Sequence, residues 1–306
     1  MPFLVLFGVF VVGIVTFHLL EQVAPIQTGY KSGVTRRGYF ADVISALVNG
    51  PGLTSLTKIA AIYMVTRIPI HARFIAHWSF VAQFIPFFLV NDFARYWLHR
   101  WYHASPILWR FHRVHHTAVE MDSMSLFRIH VGEAVFKNGL LFLPFQLIGV
   151  SPWVIVIYSS WDILKGFWHH ANLRTYVGPV NYFFNSAELH WWHHSTEARG
   201  QHANYGSILS IWDRMFRTFY WPRGQWPEDI GVEGLNHFPN SYLGQLTSVV
   251  HNDKSAATYY DRKTRSSEFN VTESATTAIN GPTGASARPE FAPAAPRKSR
   301  PESESR

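Results

Sequence analysis

Residues 92–117 read DFARYWLHRWYHASPILWRFHRVHHT. His99 and His103 stand four apart, and His112, His115 and His116 follow in an HxxHH pattern. At helical pitch, residues three and four apart share a face, so each group gathers imidazoles on one side of a helix. A second HxxHH, His190, His193 and His194, lies in ELHWWHHS (188–195). With 17 histidines in 306 residues, one HxxHH is expected by chance about 0.05 times, so two of them do not decorate a surface at random. Histidine is the commonest metal ligand. Eight imidazoles exceed the need of one tetrahedral ion and suit two ions with several nitrogen ligands each. Iron, zinc and copper all accept imidazole, so ligand type leaves the metal open.

Outward from this stretch, composition narrows the class. The chain has no cysteine, which excludes disulfides, zinc ribbons, iron–sulfur clusters and thiol catalysis. Charged residues make up 15% and hydrophobic ones 47%, against roughly 25% charged in soluble domains. The net charge of +7 forms no continuous basic stripe, so nucleic acid is not an expected partner. Apolar runs fill residues 3–20, 41–66, 78–98, 134–148 and 152–168. The first lacks a basic leader and a clear cleavage site, so it reads as a retained membrane helix and not as a signal peptide. The second is interrupted by Asn49-Gly50-Pro51-Gly52 and reads as a bent or shallow crossing. The last two are split by Ser151-Pro152 and read as a helical hairpin.

The expected fold is all-α: an integral membrane bundle of about four membrane helices with a histidine-rich helical cap. Basic residues at 31–37 and 100–128, with none at the hairpin tip, put the histidine clusters on the cytoplasmic side. Residues 1–84 read as N-terminal membrane segments, 85–222 as the catalytic domain and 223–251 as an extension. Residues 252–306, rich in Ser, Thr, Pro and charge, read as a disordered tail. The sequon at Asn270 would be silent there.

Several chemistries find no support. HExxH, a Walker loop, GxGxxG and a nucleophile elbow are absent, and no Glu-x-x-His pair of the soluble di-iron bundles lies in the clusters. The stretch 92–117, together with ELHWWHHS and NYGSILSIWDRMFRTFY (204–220), resembles the fatty acid hydroxylase / sterol desaturase superfamily. Members are integral membrane, non-haem di-iron, O2-dependent enzymes. The resemblance implies that His99, His103, His112, His115, His116, His190, His193 and His194 are metal ligands, and it adds His170 in His170-Ala-Asn172 as a ninth. It implies two iron ions as cofactor, O2 as co-substrate, and hydroxylation or desaturation of a membrane lipid. Sterol, fatty acyl, sphingoid and related lipids all remain open. Some relatives carry a further histidine where this chain has Gly166.

Two more residues are candidates. His130 would fill the coordination sphere or hydrogen-bond a ligand. Asp92, two helical turns before His99, would accept the far N–H of a ligand imidazole or else pair with Arg95. His169 and His202 read as structural, and His18, His71, His77, His237 and His251 as structural or surface residues. No cytochrome b5-like or flavin segment is visible, so electrons must come from an external donor: a cytochrome b5-like protein, a ferredoxin or a reductase. The membrane would be the plasma membrane of a bacterium or the endoplasmic reticulum of a eukaryote. The alternatives are a zinc-dependent membrane hydrolase and a histidine-rich metal-handling membrane protein.

Overall fold

Ser105-Pro106 turns the 92–117 stretch into two helices that meet at a corner. In the computed structural model, which describes residues 2–26, 34, 36–52, 74–232 and 238–250, the long helix Phe80–Ala104 ends there. Pro106 cannot continue it, because proline has no N–H, but its fixed φ suits the first position of a new helix. Ser105 Oγ accepts from Leu108 N at 3.4 Å and caps the helix Pro106–His116. The corner folds HxxxH back toward the first HxxHH.

The described residues are all-helical, with two isolated bridges, Phe184–Leu209 and Ser195–Ile230, and no strand. In chain order the main helices are α1 (Pro2–Val23), α2 (Tyr39–Leu47), α3 (Phe80–Ala104), α4 (Pro106–His116), α5 (Val131–Leu147), α6 (Pro152–His170) and α7 (Ala187–His193). Ser151-Pro152 breaks the α5–α6 hairpin as expected, with Ser151 Oγ accepting from Trp153 N. In the 41–66 run the α-helix ends at Leu47, and a short π-helix, Val48–Gly52, follows through the Asn-Gly-Pro-Gly sequence with a kink at Gly50. Its remainder, His71, His237, His251 and the tail lie outside the described residues.

One helix among the described residues, Leu4–Val23, is long and apolar enough to cross a membrane. α3, α5 and α6 occupy the other expected spans but carry ionisable side chains along their length: Asp92 and Arg95, Lys137, Asp162 and Lys165. These do not face outward. The exposed positions are apolar: Leu89, Val90 and Phe93 on α3, Phe136 and Leu140 on α5, Ile157, Trp161 and Leu164 on α6. Exposed apolar side chains thus occur on all three of these helices.

α1 is built into the unit that holds the histidines. Phe10 and Phe17 pack on Phe167 of α6, and Phe10 also meets Phe127. A Cβ on Gly13 would come within 2.5 Å of the Phe167 ring, so glycine is what allows this close approach. At its far end, Glu21 is buried. Its carboxylate accepts from Ser123 N at 2.6 Å and from Asn172 N at 3.0 Å. Both partners adjoin histidine-bearing segments.

α2 is tied down by buried charge. Asp42 receives Arg36 and Arg128 at 2.7 Å each, and Arg36 also reaches Asp122 at 2.7 Å. Gly38, at φ 78, lies in the left-handed region, and a Cβ there would meet Arg128 at 2.6 Å. Removing one partner of such a network costs about 3–5 kcal/mol, because a buried charge is left uncompensated. A second core joins α3, α5 and α6 through Phe87, Leu98, Leu141, Phe142, Val154 and Tyr158. The C-terminal extension closes over α4: Arg113 donates to Ser248 O at 2.7 Å.

Candidate metal centre

The nine histidines expected as ligands converge into two groups. His99, His103, His112, His116 and His193 form one, and His115, His170, His190 and His194 the other. Within each group, one nitrogen of every ring lies within 4.8 Å of the rest. The groups adjoin, with the rings of His116 and His194 stacked at 4.3 Å.

Neither HxxHH motif stays whole. His112 and His116 go to the first group while His115, between them, goes to the second. In the other motif His190 and His194 go to the second group and His193 to the first. Helical geometry explains the split: residues four apart are about 40° apart around the axis, and the third residue diverges to the other side. Each motif thus gives a pair to one group and a single ring to its neighbour.

Tautomers are set by what holds the outer nitrogen. His99 Nδ1 lies 2.9 Å from Tyr205 O, His193 Nδ1 2.7 Å from Ala203 O, and His115 Nδ1 3.2 Å from Arg128 O. A carbonyl only accepts, so in each case Nδ1 carries the proton and Nε2 presents a lone pair inward. His112 Nδ1 meets Glu133 Oε1 at 3.0 Å, with the same result. His170 Nδ1 lies 3.1 Å from Ser125 Oγ.

The inward nitrogens fit a metal. Nε2 of His99, His112 and His193 and both ring nitrogens of His116 are buried with no hydrogen-bond partner. Unpaired buried polar atoms are costly, and four rings aiming them at one another would be hard to sustain without an ion. In the second group, His190 Nε2 lies 3.0 Å from His170 Nε2 and 3.1 Å from His194 Nε2. Two nitrogens bound at about 2.1 Å to one ion and at right angles lie at this separation. Burial holds His116, His190, His193 and His194 well below the usual histidine range, and His115 down to about 3. Neutral imidazole is the form that ligates.

His130 and Asp92 take neither of the roles expected of them. His130 lies outside both groups; its Nδ1 accepts from Gly132 N at 3.0 Å as the N-cap of α5, and its Nε2 faces Leu246 O at 3.1 Å. Asp92 accepts from Ile208 N at 2.8 Å, Leu209 N at 3.1 Å and Trp212 Nε1 at 2.9 Å. Arg95 pairs with Asp162 at 2.7 Å, not with Asp92. The loop that Asp92 holds is clasped from its other side by Asp213, which accepts from Tyr205 N and Gly206 N at 2.8 Å each. The same loop carries the Tyr205 carbonyl that orients His99, so Asp92 reaches the histidines through this backbone and not by a hydrogen bond to an imidazole.

His169 is buried against Asn185 O at 2.9 Å, and His202 belongs to neither group. At the Gly166 position a Cβ would lie 2.8 Å from Leu126, so this wall is filled by a leucine from the neighbouring segment. Sequence reading missed Glu133, Ser125 and the Tyr205, Ala203 and Arg128 carbonyls. Glu133 left one faint signal, a lone carboxylate at the head of an apolar run. The others have none, because a backbone carbonyl is present at every residue.

A cavity opens onto both groups. Its walls include His99 and His112 of the first, His115, His170 and His190 of the second, and Tyr102.

The fatty acid hydroxylase family profile matches residues 84–218. The chain is 28% identical over 238 residues to an ornithine lipid hydroxylase of Rhizobium tropici, covering 74% of this chain and 70% of that one. It is 34% identical over 151 residues to an alkylglycerol monooxygenase of Danio rerio, covering 49% of this chain but 32% of that one. It is 27% identical over 232 residues to a very-long-chain aldehyde decarbonylase of Oryza sativa subsp. japonica, covering 70% and 74%. No solved structure matches the chain. The histidine-lined site lies inside the matched residues, and residues 84–218 of this chain are a domain of the fatty acid hydroxylase family.

Proposed function

We propose that the protein is an O2-dependent oxidoreductase that hydroxylates or desaturates a membrane lipid, using two non-haem iron ions. His99, His103, His112, His116 and His193 would hold one ion, and His115, His170, His190 and His194 the other. The observation that carries this reading is the convergence of nine imidazoles, and no carboxylate, into two adjoining groups beside a cavity. Iron there would supply the attack on an unactivated C–H bond, chemistry that protein side chains cannot perform. The chain's own contribution is positioning. Backbone carbonyls orient His99, His193 and His115, Glu133 orients His112, and burial holds rings such as His193 and His194 unprotonated.

The relatives' names support a lipid substrate: ornithine lipid, alkylglycerol, very-long-chain aldehyde. The apolar exterior of α3, α5 and α6 supports their lying in the bilayer beside α1, with the histidine face on the cytoplasmic side. We place the catalytic unit at 85–222, completed by α1 through Glu21. An external donor supplies electrons.

The test uses purified protein reconstituted with ferrous iron, a reductase system, lipid extract and labelled O2. Expected is a lipid product that gains one labelled oxygen or loses two hydrogens, with O2 uptake requiring both lipid and reductant. Anaerobic hydrolysis of an ester or amide by the zinc form, with no oxidised lipid under O2, would overturn the reading.

A further inference from the structure

One helical turn from the histidines, toward the apolar side of the bundle, lies a layer of charge that the metal chemistry does not use. Arg95 stands four residues before His99, Lys137 four after Glu133, and Lys165 five before His170. With Asp162 they line the histidine cavity. Arg95, Lys137 and Asp162 also line a second cavity, whose other walls are mostly apolar side chains such as Phe10, Phe127, Leu141 and Phe142, with Asn49, Asn138 and Ser159 among them. The two cavities share this polar wall, so it separates a site of nitrogen ligands from an apolar slot.

Most of the layer is internally satisfied. Arg95 Nη1 meets Asp162 Oδ2 at 2.7 Å, and Lys165 Nζ lies 3.6 Å from Asp162 Oδ1 and bonds Ser207. Glu133 is engaged with His112. Lys137 is the exception: among the described residues its Nζ has no hydrogen bond and no ion pair within 4 Å. An ammonium is strongly hydrated, and one held within an apolar bundle without a partner is expensive unless something binds it. Arg95 and Lys165 face Asp162 and Asp92, and Lys137 lies in the field of Glu133 and Asp162 but hydrogen-bonds neither, so its ammonium is left open to the cavities.

We propose that Lys137 binds the oxyanion head group, carboxylate or phosphate, of an amphiphilic substrate whose hydrocarbon chain occupies the apolar cavity. The head group then sits on the wall between the two cavities, and the first carbons of the chain lie nearest the histidines. The position of oxidation rests on the oxygenase reading above; the anion subsite itself does not.

Binding separates the two. The iron-loaded protein in neutral detergent, kept anaerobic and without reductant, is titrated with three single-chain probes that share one acyl chain. They are oleate, 1-oleoyl lysophosphatidate and monooleoylglycerol, and inorganic phosphate is titrated alongside. The native protein should bind the two acidic lipids about tenfold tighter than the neutral one, as expected for one charge-assisted contact, and should not bind phosphate in the same range. Lys137→Met should abolish that preference, and Lys137→Arg should restore it, which shows the fold intact. A preference that survives Lys137→Met, or is absent from the native protein, would overturn the subsite. Phosphate bound as tightly as the acidic lipids would replace a lipid head-group site with a free-anion site and overturn the proposal as stated. Absence of O2 turnover with the binding preference intact would count against the oxygenase reading alone.

Discussion

Nδ1 of His112 lies 3.0 Å from Oε1 of Glu133, a buried pair that joins the middle of α4 to the first turn of α5. The carboxylate fixes the proton on Nδ1 and leaves Nε2, which has no other partner, aimed at the first histidine group. Glu133→Leu should therefore weaken metal retention about 10- to 100-fold, read as metal left after dialysis against graded chelator. Glu133→Gln, which keeps an acceptor oxygen, should lose less. Equal retention in Glu133→Leu and the native protein would refute this role.

His116 and His130 should part company. Neither ring nitrogen of His116 has a hydrogen-bond partner, and both are buried. His116→Ala should lower bound metal and remove turnover. His130 caps α5 and bonds Leu246 O, so His130→Ala should lose about 0.5–2 kcal/mol of stability with metal content unchanged. Metal analysis paired with thermal melts distinguishes them; metal loss in His130→Ala would reinstate it as a ligand.

Glu21 makes α1 part of the site's support. Its removal strands the Ser123 and Asn172 N–H groups, both buried. Glu21→Ala should cost about 1–3 kcal/mol for each unsatisfied donor. Gly13→Leu, which drives a side chain into Phe167, should cost about 1–3 kcal/mol by overpacking. Both are read as lowered melting temperatures, and native-like melts in both would mean that α1 packs differently.

Acid should destabilise the metal-free protein. Burial holds His115, His116, His190, His193 and His194 below their ordinary pKa. Above about pH 6.5 these rings are neutral both folded and unfolded. As pH falls through that value, the unfolded chain takes up protons that the folded one refuses. Each such ring then disfavours the fold by up to about 1.4 kcal/mol per pH unit. Melting of the metal-free protein should drop steeply between about pH 7 and 5. A flat profile would mean that the rings protonate in place.

What the sequence determined by itself is everything that depends on neighbours along the chain. Imidazoles three and four apart share a helical neighbourhood whatever the helix packs against, so the three clusters were legible as ligand candidates. Ser151-Pro152 ends a helix where expected, because proline has no N–H to continue one, and Ser105-Pro106 does the same by the same rule. The all-helical class followed from the same periodicity. What only the tertiary structure decided is which imidazole joins which group. His115 and His116 are adjacent in sequence yet face different groups, because one residue turns the helix by about 100° and different partners await on each side. Asp92 shows the same limit. Its spacing from His99 places it on the histidine's face, but three backbone and indole donors from 208–212 claim it first. A buried carboxylate takes the donors that packing brings within reach, and those lie more than a hundred residues away along the chain.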